Sequence, residues 1–252
     1  MKAKPILKSP WEIEILRKAN RIVMEILVSL KEAVKPGVNT YEFEEMALNL
    51  CEKKKVKPAF KGYRGYPYAL CVSLNEEIVH GMPRKDRILA EGDIVSFDFG
   101  VIYEGYVGDA ALTVGVGKIS ETAEKLLRVT EEALYRGIDK ARIGNRVGDI
   151  SFAIQSYVEK FGYNVIRSFV GHGIGRNLHE PPEVPNFGKP GRGPKLEAGV
   201  VLAIEPMVSA GSYEVQILED GWTAVTKDRS LSAHFEHSVV ITPNGPEILS
   251  ML

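Results

Sequence analysis

Apolar residues recur at helical spacing through Ile15, Ala19, Ile22, Val23, Ile26 and Leu30, directly after Ser9-Pro10-Trp11-Glu12. Serine at the N-cap, proline in the first turn and glutamate three residues after the serine form a capping box, so a helix starts here. Lys35-Pro36-Gly37 ends it. A second helical pattern covers about residues 40–54, with Phe43, Met46, Ala47 and Leu50 on its inner face. The pattern then shifts to strands over residues 68–74, 94–101 and 106–114. Helical spacing returns after Ser120, Gly144 interrupts it as Gly37 did, and a further helix is predicted over about residues 147–161. Strand-like runs fill residues 200–216 and beyond.

The second half of the chain thus repeats the first. "KPGVNTYEFEEMA" and "RIGNRVGDISFAI" occupy equivalent places, and the repeat extends to polar residues. His80-Gly81 precedes Asp98 and then Asp109, while His172-Gly173 precedes Glu205 and then Glu236. Helices followed by strands, twice over, predict an α+β fold of two related halves around a shared cleft. Chance similarity between amphipathic helices is the competing explanation.

Composition narrows the class. At 252 residues, 44% hydrophobic and 26% charged, the chain has the makeup of one large domain with a sizeable core. A formal net charge of -1 provides no global field toward nucleic acid or an anionic membrane. Cys51 and Cys71 lack CxxC spacing, which fits a reducing compartment. The start, MKAKPILKSPWEIEILRKANR, carries charges where a signal peptide needs an apolar stretch, and no stretch reaches membrane-spanning length. A cytoplasmic protein is expected. The basic run Lys53-Lys54-Lys55-Val56-Lys57 offers a possible contact to ribosomal RNA, against the simpler reading of a solvated helix end.

Four acids interrupt apolar runs. In "DIVSFDFGVIYEGYVGDAALTV" a hairpin turning near Glu104-Gly105 places Asp98 and Asp109 on one face, because an even-length loop pairs positions whose numbers sum to an odd value. Cross-strand neighbours on one face lie roughly 5–8 Å apart. Two such carboxylates beside Phe97, Phe99 and Ala110 repel and are poorly solvated unless a cation or shared proton compensates. Glu205 in "VVLAIEPMV" and Glu236 in "AHFEHSVVI" repeat the anomaly, and no Lys or Arg lies within either run. Buried ion pairs are the alternative for each acid singly. In "GHGIGRNLHEPPEVPNF", glycines flank His172, and His179 follows seven residues on. A phosphate-cradling glycine loop is a poor reading here, since no Lys-Ser/Thr follows and Pro181-Pro182 denies a helix. His234 and His237 are read as structural. One nitrogen with four carboxylates disfavours a closed thiolate zinc site. It suits paired divalent ions, Mn(II), Fe(II), Co(II) or Zn(II), roughly 3.5–4 Å apart, and metal-assisted hydrolysis.

In their order, with "GHGIG" and "IEPM" around two of them, Asp98, Asp109, His172, Glu205 and Glu236 resemble the ligand set of the methionine aminopeptidases. The similarity covers about residues 8–248. It implies the pita-bread fold, a single catalytic domain over residues 1–252 whose halves span about 8–116 and 118–248. The N-terminus lacks a zinc-binding extension, and the stretch between His179 and Glu205 lacks a long helical insertion, so the bacterial-type type I enzymes match. The resemblance implies that Asp98 chelates one of two metals, that Asp109 and Glu236 bridge, and that His172 and Glu205 complete the ligand shell of the second ion. Glu205 takes the nucleophile's proton, while His80 and His179 contact the scissile peptide. Phe60, Tyr63, Tyr66, Cys71 and Trp222 match the methionine pocket, against ordinary core packing as the alternative. The substrates implied are nascent proteins and peptides with N-terminal methionine before a small residue, acted on by a monomer with at most transient ribosome contact. Proline-directed aminopeptidases or dipeptidases of the same fold, and non-catalytic peptide-binding pita-bread modules, are the rival readings.

Overall fold

The computed structural model describes residues 4–252; the first three residues of the N-terminal segment lie outside it. Helix α1 (Pro10–Glu32) starts on Ser9, whose hydroxyl accepts from Glu12 N while Glu12 Oε2 accepts from Ser9 N. Helix α2 (Thr40–Lys54) starts on Asn39 with the same reciprocal pair to Glu42. Phe43 and Ala47 face inward as expected, but Met46 and Leu50 are only partly buried, and the acid Glu44 takes part of that face. Its carboxylate accepts from Ala69 N and Leu70 N, which lets it stay inside. Helices α3 (Glu121–Asp139), capped by Ser120, and α4 (Val147–Glu159) repeat the arrangement.

The strands follow in chain order: β1 (Lys57–Pro58), β2 (Leu70–Leu74), β3 (Glu77–Val79), β4 (Ile94–Tyr103), β5 (Tyr106–Gly115), β6 (Asn164–Val165), β7 (Val170–Gly173), β8 (Glu180–Pro185), β9 (Val201–Ile204), β10 (Met207–Ser209), β11 (Val215–Ile217), β12 (Ala224–Thr226), β13 (Ser232–His234), β14 (Glu236–Thr242) and β15 (Gly245–Ile248). The large sheet has the order β1-β4-β5-β14-β9-β7-β8, with β2 against β4 and β15 against β14, and its pairings are antiparallel. Two small sheets, β13-β10-β6 and β11-β12-β3, flank it.

The two halves are visible in the packing. One apolar core gathers residues of α1, α2, β2, β4 and β5, including Val23, Leu27, Phe43, Phe97 and Phe99. The other gathers residues of α3, α4, β9 and β14, including Leu126, Leu134, Ile150, Ile154 and Val239. The entry to the second helix of each half matches too. Gly37 and Gly144 have φ of 91° and 95°, and two residues on, Asn39 bridges to Ile88 and Arg146 to Lys195. Sequence similarity at these two places therefore reports the same turn, one that needs left-handed backbone.

Candidate metal centre

The site is built at the middle of the large sheet. Strands β4, β5, β14, β9 and β7 are consecutive neighbours, and the five predicted ligands lie in them or directly after them. Asp98 comes from β4, Asp109 from β5, Glu236 from the start of β14, Glu205 from the residue after β9 and His172 from β7. In the β4–β5 hairpin Tyr103 pairs with Tyr106 across Glu104-Gly105, whose φ values of 48° and 78° suit a type I′ turn. That register opposes Asp98 to Ala111 and Gly100 to Asp109, so both aspartates point to the same face. Glu236 pairs with Ala111 from the other side of β5 and joins them.

One ligating atom each of Asp109, His172 and Glu236 lies within 4.8 Å of the others. His172 Nε2 is 3.5 Å from Glu205 Oε1 and 3.9 Å from Asp109 Oδ2. Its Nδ1 lies 3.0 Å from Gly173 O and donates there, which leaves Nε2 as a bare lone pair facing two carboxylates. Burial holds this imidazole down at about 3, so it is neutral. Burial lifts Asp98 to about 7 and Glu205 to about 8, and lifts Asp109 and Glu236 well above the ordinary carboxylate range, with repulsion among the acids adding to the effect. Asp98 Oδ1, Asp109 Oδ1 and Glu236 Oε1 are buried without a hydrogen-bond partner. Among the described residues no Lys or Arg pairs with these four acids; their close nitrogen neighbours are imidazoles. Orphaned carboxylate oxygens and an inward lone pair are the donor set a divalent cation requires, and they fit one well.

A cleft of about 850 Å³ opens over these groups and is lined by every residue predicted for the site. His80 stands at its wall with φ of 61°, an uncommon backbone for a non-glycine residue, and its ring meets Phe169 and Trp222 edge-on. Burial lowers its imidazole to about 4. His179 is exposed to the cleft, with its ring 4.2 Å from that of His172. Phe60, Tyr66 and Cys71 are buried, Tyr63 and Trp222 partly so, and Tyr66 meets Trp222 edge-on at 5.2 Å. These five form an apolar recess beside the carboxylates.

Three contributors escaped the sequence reading. His234, read as structural, points Nε2 at Glu205 Oε2 from 3.4 Å. Its two-residue spacing from Glu236 was the available signal. Asn20, a polar residue on the buried stripe of α1, accepts from Asp109 N with Oδ1, and Asn186 Nδ2 donates to Glu205 O. Of the basic run after residue 52, Lys53 and Lys54 end α2, where Lys54 pairs with Glu25, and Lys57 lies in β1.

The sequence model of metallopeptidase family M24 matches residues 14–243. Methionine aminopeptidase of Clostridium acetobutylicum is 54% identical over 246 residues, covering 98% of each chain. The crystal structure of methionine aminopeptidase from Thermotoga maritima superposes with a TM-score of 0.97 at 51% identity, covering 98% of this chain and 100% of that one. Prolidase from Pyrococcus furiosus shares the fold alone, with a TM-score of 0.79 at 23% identity over 66% of its length. The architecture is the pita-bread fold, a buried Asp/His/Glu cluster suits a divalent metal ion, and the chain belongs to metallopeptidase family M24, among the bacterial-type methionine aminopeptidases.

Proposed function

We infer that the protein removes N-terminal methionine from peptides and nascent chains whose second residue is small. The observation that carries this reading is the convergence of five side chains, held in or directly after five adjacent strands, around buried oxygens of Asp98, Asp109 and Glu236 that have no hydrogen-bond partner, beside an apolar recess. Asp98, Asp109, His172, Glu205 and Glu236 are the residues that hold metal, and the number of donors suits two divalent ions drawn from Mn(II), Fe(II), Co(II) and Zn(II). Such ions polarise a carbonyl oxygen and bring a water's pKa toward neutrality.

The chain's own groups do the rest. Phe60, Tyr63, Tyr66, Cys71 and Trp222 take the methionine side chain and exclude water around it. Glu205, which like Asp98 keeps some surface open to the cleft, accepts the proton of the attacking water at a carboxylate oxygen. His179 and His80 are neutral imidazoles, since burial lowers both, and each donates one N–H to the peptide carbonyl or the departing amine. We read the chain as one catalytic domain that works as a cytoplasmic monomer, with ribosome contact transient at most.

Metal-free protein reconstituted with each of the four ions and given Met-Ala-Ser and an Ala-Pro peptide tests the assignment. Methionine release that depends on added metal, and outpaces Ala-Pro cleavage, is the expected result. Faster cleavage of Ala-Pro would assign the chain to proline-directed peptidases, and binding of Met peptides without release would make it a binding module.

A further inference from the structure

Glu180 is a buried acid beside the cleft that the metal centre does not use. Its side chain, 4% exposed, meets Lys8 Nζ at 2.6 Å, and the lysine side chain is 3% exposed. Lys8 Nζ also donates to Ile6 O at 2.9 Å, and Glu180 Oε1 accepts from Asn177 N at 3.1 Å. Lys8 is itself anchored, because its backbone N–H donates to Gly199 O at 2.7 Å and Leu7 bridges to Val200. Gly175 fits against the pair with no space for a side chain. A Cβ there would stand 2.3 Å from Lys8 Cε and 2.7 Å from Glu180 Oε1. On its other side Gly175 O accepts from Val107 N, so the loop 174–180 is held at both ends. His179 directly precedes Glu180 in that loop.

The contrast with the metal centre is chemical. Asp109 and Glu236 are buried and Asp98 and Glu205 partly so, with no Lys or Arg paired to them among the described residues, whereas Glu180 has one, delivered from the segment before α1. Removing one partner of such a pair strands a charge where water does not reach it, so the surrounding backbone must move.

We propose that Lys8 and Glu180 are positioning residues, and that their buried ion pair ties the segment before α1 to loop 174–180 and so fixes His179 against the substrate. The proposal rests on the reading of His179 as a group that meets the scissile peptide. It is tested by comparing wild type, Lys8→Met and Glu180→Gln, loaded with the same metal. The readouts are kcat and KM for Met-Ala-Ser, bound metal, and backbone hydrogen exchange over residues 174–180. In Lys8→Met, kcat falls about tenfold or more while KM stays within about threefold, because a misplaced group costs rate more than binding. Bound metal is unchanged and exchange at 174–180 speeds up. Glu180→Gln keeps an oxygen for Lys8 and loses less on both counts; should Lys8→Met fail to fold, faster exchange and a lowered kcat in Glu180→Gln decide the matter. Unchanged exchange at 174–180, or a kcat within about twofold of wild type in a folded variant, overturns the proposal. A wild-type protein that releases no methionine would overturn the functional assignment instead, and the exchange data would still decide whether the pair holds the loop.

Discussion

The hydroxyl of Tyr63 lies 2.8 Å from His179 Nδ1, and the two rings stack with centroids 5.3 Å apart. Burial, and then the Arg64 guanidinium, hold this imidazole below its ordinary pKa, so at neutral pH the ring carries one proton. If the phenol is the donor to Nδ1, that proton sits on Nε2 and is left to donate to substrate. Tyr63→Phe keeps the stacking and releases the tautomer, and kcat should fall about tenfold with bound metal unchanged. An unaltered kcat would mean that the phenol does not select the tautomer. His179→Ala should keep its metal and lose most turnover, whereas Asp109→Asn should lose metal on dialysis, as elemental analysis of both variants will read. At this scale the sequence exposes a problem more readily than its solution. Asp98, Glu205, Glu44 and Glu180 all look alike as acids in or beside apolar runs. Backbone amides of Ala69 and Leu70 satisfy Glu44, and a lysine 172 residues away satisfies Glu180. Only the partners in space separate those two from the metal-site acids.

Secondary structure was legible where the determinant is local. The Glu104-Gly105 turn fixes the β4–β5 register, and with it the shared face of Asp98 and Asp109, within a dozen residues. The Ser9 and Asn39 caps set the starts of α1 and α2 in the same local way. What no local pattern reveals is how closely elements approach. Gly108, one residue before Asp109, lies so near α1 that a Cβ would stand 2.6 Å from the backbone carbon of Ala19 and 2.7 Å from Asn20 N. Neither neighbour is a side chain that can swing aside. Gly108→Ala therefore has to push α1 off the sheet, and overpacking of this kind costs about 2 kcal/mol. For a chain of this size that lowers Tm by roughly 4–8 °C. The same shift disturbs the hydrogen bond from Asp109 N to Asn20 Oδ1, so metal affinity should weaken along with stability. A variant with wild-type Tm in a thermal melt would mean that the helix yields without cost.

Each half has an apolar core, a third cluster joins Leu16 and Tyr106 of one half to Ile174 and Val240 of the other, and the ligands lie where the halves meet in one sheet, so the whole molecule feels whether the centre is filled. Metal bound only by the folded state at about a hundred times its Kd contributes about 2.7 kcal/mol, a rise of roughly 5–10 °C in Tm. Its removal should also change how stability depends on pH. In the metal-free protein burial raises Asp98 to about 7 and Glu205 to about 8, far above the values these acids have in an unfolded chain. The five histidines shift the opposite way, because burial lowers them, but above about pH 6.5 they are neutral folded and unfolded alike; from there to about pH 8 the folded state binds more protons than the unfolded one, so stability falls as pH rises through that window. Bound cations favour the charged carboxylates and remove the difference. Melts of chelator-treated protein from pH 6.5 to 8 should therefore show Tm declining, whereas the metal-loaded protein should hold its Tm across the same range. The gap between the two curves should widen toward pH 8, and protons should be released when metal is added back near neutrality. Parallel curves would mean that the four acids are compensated by something other than a cation, which would remove the physical basis on which the metal centre was read from both sequence and structure.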